Sequence, residues 1–297
     1  MSIASIPPRP AADRAEAEAR FAALCARDDE LVASWGQSKW FEQPQRVPLA
    51  VVLLHGFTSS PAQFVTLGEQ LMARGHSVVI PRLSGHGDAD RTDTRLKKAR
   101  AEDWLATASE AVDIARGLGE RVAVTGISLS GAIAVWLAWR RRDVARAVGL
   151  SPMIGVKGWA PLVDALAARA LAALPDKDLK WDPVGDGRQI TQHSYPRFPT
   201  HGLAQCLRIG WDLYAGARNE APPRGTAAFL LNANDPAVSN EMTNEIVRRW
   251  NVLEAEVECA TLNDLPHIHD IADPENPYQR VGEVYPKLID MLEENPI

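Results

Sequence analysis

Ser128 stands in the run Gly126-Ile127-Ser128-Leu129-Ser130-Gly131, between the apolar stretch Val122 to Thr125 and a longer apolar stretch of helix length. A serine hydroxyl is a poor nucleophile until a base takes its proton. It must also stand clear of its own backbone, and a sharp strand-to-helix turn achieves this when the residues two before and two after it are small. Gly126 meets that need. Ser130 replaces the usual second glycine, and Gly131 adds room. Ser130 is the competing nucleophile, but it lies deeper in the expected helix. Two later turns carry groups that a reactive serine requires. Asn232-Ala233-Asn234-Asp235-Pro236-Ala237-Val238 offers Asp235, although an Asn-Asp-Pro turn also forms with no catalytic cause. Leu265-Pro266-His267-Ile268-His269-Asp270 offers two histidines, two residues apart. Such a pair can serve a metal, yet no partner His, Cys or carboxylate cluster accompanies it at ligand spacing. Upstream lie two glycine turns, His55-Gly56-Phe57-Thr58-Ser59-Ser60-Pro61 and Arg82-Leu83-Ser84-Gly85-His86-Gly87. The second lacks the lysine and the glycine spacing of a phosphate loop.

The elements that must hold these turns follow from hydrophobic patterning. Leu49 to Leu54 is a continuous apolar run of strand length, as in a strand buried on both faces of a parallel sheet. Ser60-Pro61-Ala62-Gln63 reads as a capping box with proline at the first helical position. Phe64, Leu67 and Leu71 continue a helix that Gly75 stops. Ser77 to Ile80 is a second strand, residues 101–116 a helix, Arg121 to Thr125 a third strand, residues 129–141 a helix and Ala145 to Leu150 a fourth strand. The alternation resumes with a strand at Ala227 to Leu231, a helix at 240–250 and a last strand at Ala255 to Ala260. A final helix carries Val281, Val284, Leu288 and Leu292, kinked or started by Pro286. This order predicts an α/β fold, a doubly wound and mostly parallel sheet with helices on both faces. Residues 1–152 and 223–297 form its core, with an N-terminal helix near 11–27. Residues 153–222 break the pattern and read as an inserted helical cap, marked by Trp159, Leu162, Val163 and Leu166 and by Leu203, Leu207, Trp211 and Tyr214.

Composition narrows the function further. The 297 residues are 46% hydrophobic, enough for a large core, and the net charge is −6. A nucleic-acid surface needs dense Lys and Arg, so this balance argues against nucleic acid as the main partner. Arg140-Arg141-Arg142 ends an apolar helix and reads as cations complementing its dipole. Three cysteines, Cys25, Cys206 and Cys259, show no paired spacing and imply neither a disulfide framework nor a zinc site. No signal pattern opens the sequence and no apolar run is long enough to span a bilayer, so a cytoplasmic protein is expected.

Taken together, the chain resembles the α/β-hydrolase superfamily over roughly residues 48–295, with its nearest likeness to the carboxylesterase and monoacylglycerol-lipase group. The resemblance implies that Ser128 is the nucleophile and that the backbone N–H groups of Phe57 and Leu129 form the oxyanion hole. It implies that Asp235, in a D-x-x-V turn, is the triad acid. The family histidine is followed seven residues later by proline at the start of the final helix. Counting from His267 reaches Pro274, so His267 is the expected base and His269 the alternative. His55 and His86 take structural roles. The order Ser128, Asp235, His267 is that of α/β-hydrolases.

The resulting expectation is a serine hydrolase acting on carboxylic esters with an apolar acyl or alcohol part, such as monoacylglycerols or aryl and alkyl esters. It needs no metal or organic cofactor. Thioesterase, lactonase, C–C hydrolase and perhydrolase chemistry would use the same triad. A non-catalytic receptor on this fold usually lacks a triad member, whereas this chain keeps all three.

Overall fold

A computed structural model describes residues 2–92, 95–182, 185 and 190–294. Parts of the expected cap, 183–184 and 186–189, lie outside the described residues, as do 1, 93–94 and 295–297. The chain opens with α1 (Arg14–Cys25), capped by the Asp13 carboxylate, which accepts from the Glu16 N–H. Then come β1 (Lys39–Phe41), β2 (Val47–Leu54), a 3₁₀ turn at Pro61–Phe64, α2 (Val65–Ala73), β3 (Ser77–Ile80), α3 (Ala101–Leu118), β4 (Gly119–Ile127), α4 (Leu129–Arg140) and β5 (Arg146–Leu150). The segment after β5 contributes α5 (Pro161–Ala173), the short antiparallel pair β6 (Asp178–Lys180) and β7 (Arg197–Pro199), and α6 (Thr200–Gly216). The core closes with β8 (Ala227–Asn232), α7 (Asn240–Val252), β9 (Glu258–Leu262) and α8 (Val281–Glu293).

Seven strands form one sheet in the order β1-β3-β2-β4-β5-β8-β9. All neighbours are parallel except β1, an edge strand antiparallel to β3 that the sequence pattern does not reveal. The strands read as apolar runs because both sheet faces are covered. On one face Val52, Leu54 and Val124 share a core with Trp104, Ile133 and Trp136. On the other, Leu49, Val51 and Leu53 meet Leu67, Leu71 and Leu288. These two cores set the register, since a slip of one residue would exchange the faces.

Several local expectations are corrected. The Ser60–Gln63 capping box does not form: Ser60 makes no side-chain cap bond to the 3₁₀ turn, and its hydroxyl donates to the Trp35 carbonyl. The last strand begins at Glu258, three residues later than its apolar pattern suggests. Of the two readings of Pro286, the helix start is set aside, since Pro286 lies inside α8. Arg141, at the end of α4, does more than complement its dipole. It is buried and donates to Asp113, Asp143 and the Ser109 carbonyl.

The chain crosses from one side of the sheet to the other between β2 and β4. In doubly wound sheets a crevice opens beyond the carboxyl ends of the strands at such a switch. Here Leu53 pairs with Thr125 and Leu54 with Gly126. The His55–Phe57 turn and the Ser128 turn therefore leave the sheet side by side. At the other end of the crevice, Asn232 pairs with Leu262, so the loops after β8 and β9 also start together.

Candidate active site

Ser128 sits between β4 and α4 with φ 59° and ψ −119°, a left-handed conformation that costs a non-glycine residue strain. Its N–H donates to the Leu150 carbonyl at 3.0 Å, and its carbonyl accepts from Met153 and Ala132. The turn is thus tied to β5 and to α4. Gly126 is needed because a Cβ there would meet the Ser130 and Leu54 carbonyl oxygens at 2.6 and 2.7 Å. Ser130 is fully buried, and its hydroxyl donates to the His55 carbonyl. That bond explains how a serine fits where glycine is usual. It also keeps the Ser130 hydroxyl away from the crevice.

Leu129 is the first residue of α4, where backbone N–H groups have no intrahelical partner. Phe57 follows Gly56 in the turn after β2, and Thr58 holds φ 71°. His55 Nε2 accepts from the Leu83 N–H at 3.1 Å, so its Nδ1 carries the proton and faces the Gly56 carbonyl at 3.1 Å. Burial, then the nearby His86, pushes the His55 pKa well below the usual range. His86 is pushed down by burial to about 3 and packs edge-on to Phe57. Both rings are neutral spacers beneath the turn.

Asp235 follows β8 and is 1% exposed. Its Oδ1 accepts from the Ala237 and Val238 N–H groups at 2.8 and 3.2 Å, which fixes the carboxylate. The expected pairing of Asp235 with His267 is not formed. His267 is exposed, and the ring that meets Asp235 is that of His269, with Nδ1 2.8 Å from Oδ2 and 3.1 Å from Oδ1. Two features explain the correction. The Ile268 N–H donates back to the Pro266 carbonyl at 2.8 Å, a tight three-residue turn centred on His267. Ile268 is buried in the core behind, so His267 turns outward and His269 inward. The proline spacing also pointed to the wrong element, because Pro274 lies in a loop and α8 begins at Val281.

Burial pulls the His269 pKa down, but the Asp235 charge and hydrogen bond outweigh it, so the net shift is upward. Burial pushes Asp235 up, and His269 with the two backbone donors brings it below the usual carboxylate range. His269 Nε2, the nitrogen turned away from Asp235, is buried and has no hydrogen-bond partner among the described residues.

Ser128 and His269 line one pocket of about 300 Å³. Phe57, Met153, Val156, Phe198, Leu203 and Val238 give it an apolar wall, with Lys180, Asp182 and Ser194 as polar members. Trp181 packs edge-on to the His269 ring at 5.8 Å. A larger cavity of about 560 Å³ lies elsewhere and is lined by charges spent on one another, Arg27 with Glu110 and Arg82 with Asp28. It holds neither Ser128 nor His269. Among the described residues no group of three or more His, Cys, Asp or Glu side chains is arranged to hold a metal ion.

The model of the alpha/beta hydrolase family matches residues 51–281, well over half the sequence. The chain belongs to the α/β-hydrolase family. Within this family, it is similar to the thermostable monoacylglycerol lipase of Bacillus sp. (strain H-257), 27% identical over 165 residues, which are 54% of this chain and 62% of that protein. It is also similar to a carboxylesterase of Bacillus subtilis (strain 168), 33% identical over 91 residues, 30% of this chain and 36% of that protein. The matched stretches thus span less than two thirds of these relatives. Among solved structures, one from the metagenome-derived lipolytic enzymes LipS and LipT superposes with a TM-score of 0.68 at 20% identity, over 88% of this chain and 98% of that one. A soluble variant of monoglyceride lipase from Saccharomyces cerevisiae superposes with a TM-score of 0.65 at 14% identity, over 86% and 91%. At these identities the two likenesses speak for the α/β-hydrolase fold alone.

Three residues that line this α/β-hydrolase pocket escape sequence reasoning: His269 as the partner of Asp235, Trp181 beside it, and Gln63. The Gln63 signal was present but read as a helix cap. No pattern marks Trp181, which reaches the site through the segment between β5 and β8.

Proposed function

We propose that the protein is a serine hydrolase of carboxylic esters, with Ser128 as nucleophile, His269 as general base and Asp235 as the acid that orients it. The observation that carries this reading is the buried Nε2 of His269, without a hydrogen-bond partner among the described residues, in the same pocket as the strained Ser128, with Nδ1 held by Asp235 at 2.8 Å. His269 Nε2 takes the Ser128 proton as the hydroxyl attacks the ester carbonyl. Asp235 keeps the proton on Nδ1 and stabilises the imidazolium that forms. The Phe57 and Leu129 N–H groups receive the oxyanion, and each donor of this kind is worth about 2.7–4 kcal/mol. His269 then returns the proton to the leaving alcohol. Water, activated by the same nitrogen, releases the acid from the acyl-enzyme.

Residues 153–222 act as a cap in this reading. Met153, Val156, Phe198 and Leu203 supply apolar surface for an acyl chain, while Lys180 and Asp182 face the more polar alcohol. The names of the two Bacillus relatives support an ester substrate with an apolar part. A fluorophosphonate probe tests the assignment: wild type is labelled stoichiometrically and Ser128→Ala is not. Undiminished labelling of that variant would remove Ser128 from the mechanism.

A further inference from the structure

Gln63 is 2% exposed and lies in the 3₁₀ turn after the Phe57 loop, far along the chain from the histidine loop. Its side chain makes two hydrogen bonds of opposite sense. Oε1 accepts from the Gly56 N–H at 2.8 Å, and Nε2 donates to Asp270 Oδ2 at 2.7 Å. Gly56 directly precedes Phe57, and Asp270 directly follows His269. The Asp270 carboxylate is itself fixed, since its Oδ1 accepts from the Ala272 and Asp273 N–H groups. We propose that Gln63 is a positioning residue that locks the oxyanion turn to the loop carrying His269, so that the donor and the base keep one geometry toward Ser128. This rests on the catalytic reading above.

Among side chains of this length, only an amide does both things at once without taking up a proton. An ionised carboxylate would accept from Gly56 but oppose an ionised Asp270, whose pKa burial and Asp273 raise to about 6. An apolar side chain would leave the buried Gly56 donor and the Asp270 acceptor unpaired, which costs more than the bonds themselves contribute. The lock links two turns that, among the described residues, no backbone hydrogen bond joins. Its loss would be felt where reacting atoms must align, and a misplacement of about 1 Å can cost about 100-fold in rate.

The test uses Gln63→Glu, Asp270→Asn and the double variant on a short p-nitrophenyl ester, with a thermal melt of each. Gln63→Glu should lower kcat by about 100-fold with KM changed by less than about twofold. Asp270→Asn should also lower kcat, by at least about tenfold, because its oxygen stays with the Ala272 and Asp273 N–H groups and its NH2 then opposes the Gln63 NH2. In the double variant the amide introduced at 270 donates to the carboxylate introduced at 63, so at least about tenfold of the lost kcat should return. Should Gln63→Glu not fold, Gln63→Met carries the test, with a fall in kcat of at least about tenfold at constant KM supporting the lock. A folded Gln63 variant that keeps kcat within about twofold, changes KM alone, or is not rescued in the double variant overturns it. Ser128→Ala and His269→Ala run beside these. If they stay active the catalytic reading fails, whereas if they are inactive and Gln63 proves dispensable, only the lock fails.

Discussion

The two sides of the crevice are held by different means. On the Ser128 side, position comes from the sheet: β2 and β4 are in register up to Leu54 and Gly126, and Gly126 lets α4 approach to contact distance. On the His269 side, position comes from side chains bonded to loop backbone. Asn232 Nδ2 donates to the Pro266 and Ile268 carbonyls, and Asn234 Nδ2 donates to those of Asn263 and Leu265. Asp270 and Asn276 hold the stretch beyond. A strand ladder forms for almost any sequence of the right pattern. A loop held by single side chains depends on each of them.

Perturbing the two sides should therefore give different signatures. Beyond the base itself, the largest effect belongs to the acid. Asp235→Asn keeps the shape but offers His269 the wrong hydrogen-bonding partner, so kcat should fall by a factor on the order of 10⁴ with the melting temperature little changed. Steady-state kinetics with a chromogenic ester measures it, and a loss below about tenfold would separate Asp235 from the base. A smaller effect is expected one layer back. Asn232→Ala removes two donors from the His269 loop and should cost about 1–3 kcal/mol of stability in urea unfolding. It should also lower kcat by about tenfold through misplacement of the base. Unchanged kcat in a destabilised Asn232→Ala would mean that the His269 loop is held by its other anchors.

The same contrast explains what could be read in advance. The strands at 49–54, 77–80, 121–125 and 227–231 and the turn at Ser128 declare themselves, because burial on both faces demands apolar runs and close helix approach demands glycine. The edge strand β1 has only three half-buried residues and so no such pattern. In the histidine loop, the facing of His267 and His269 is decided by the Ile268-to-Pro266 turn and by where Ile268 finds a core. Neither is visible in residue spacing. Gln63 was misread for a related reason. The S-x-x-Q pattern is a local signal, whereas its partners, Gly56 and Asp270, are fixed by the fold.

The central claim is that His269, not His267, works with Asp235 and Ser128. It is tested most directly by comparing kcat/KM of His269→Ala and His267→Ala on the same short p-nitrophenyl ester, with folding checked by circular dichroism. His269→Ala should lose a factor on the order of 10⁴ or more, while His267→Ala, a change at an exposed side chain, should stay within about twofold of wild type. An inactive His267→Ala beside an active His269→Ala would contradict the account.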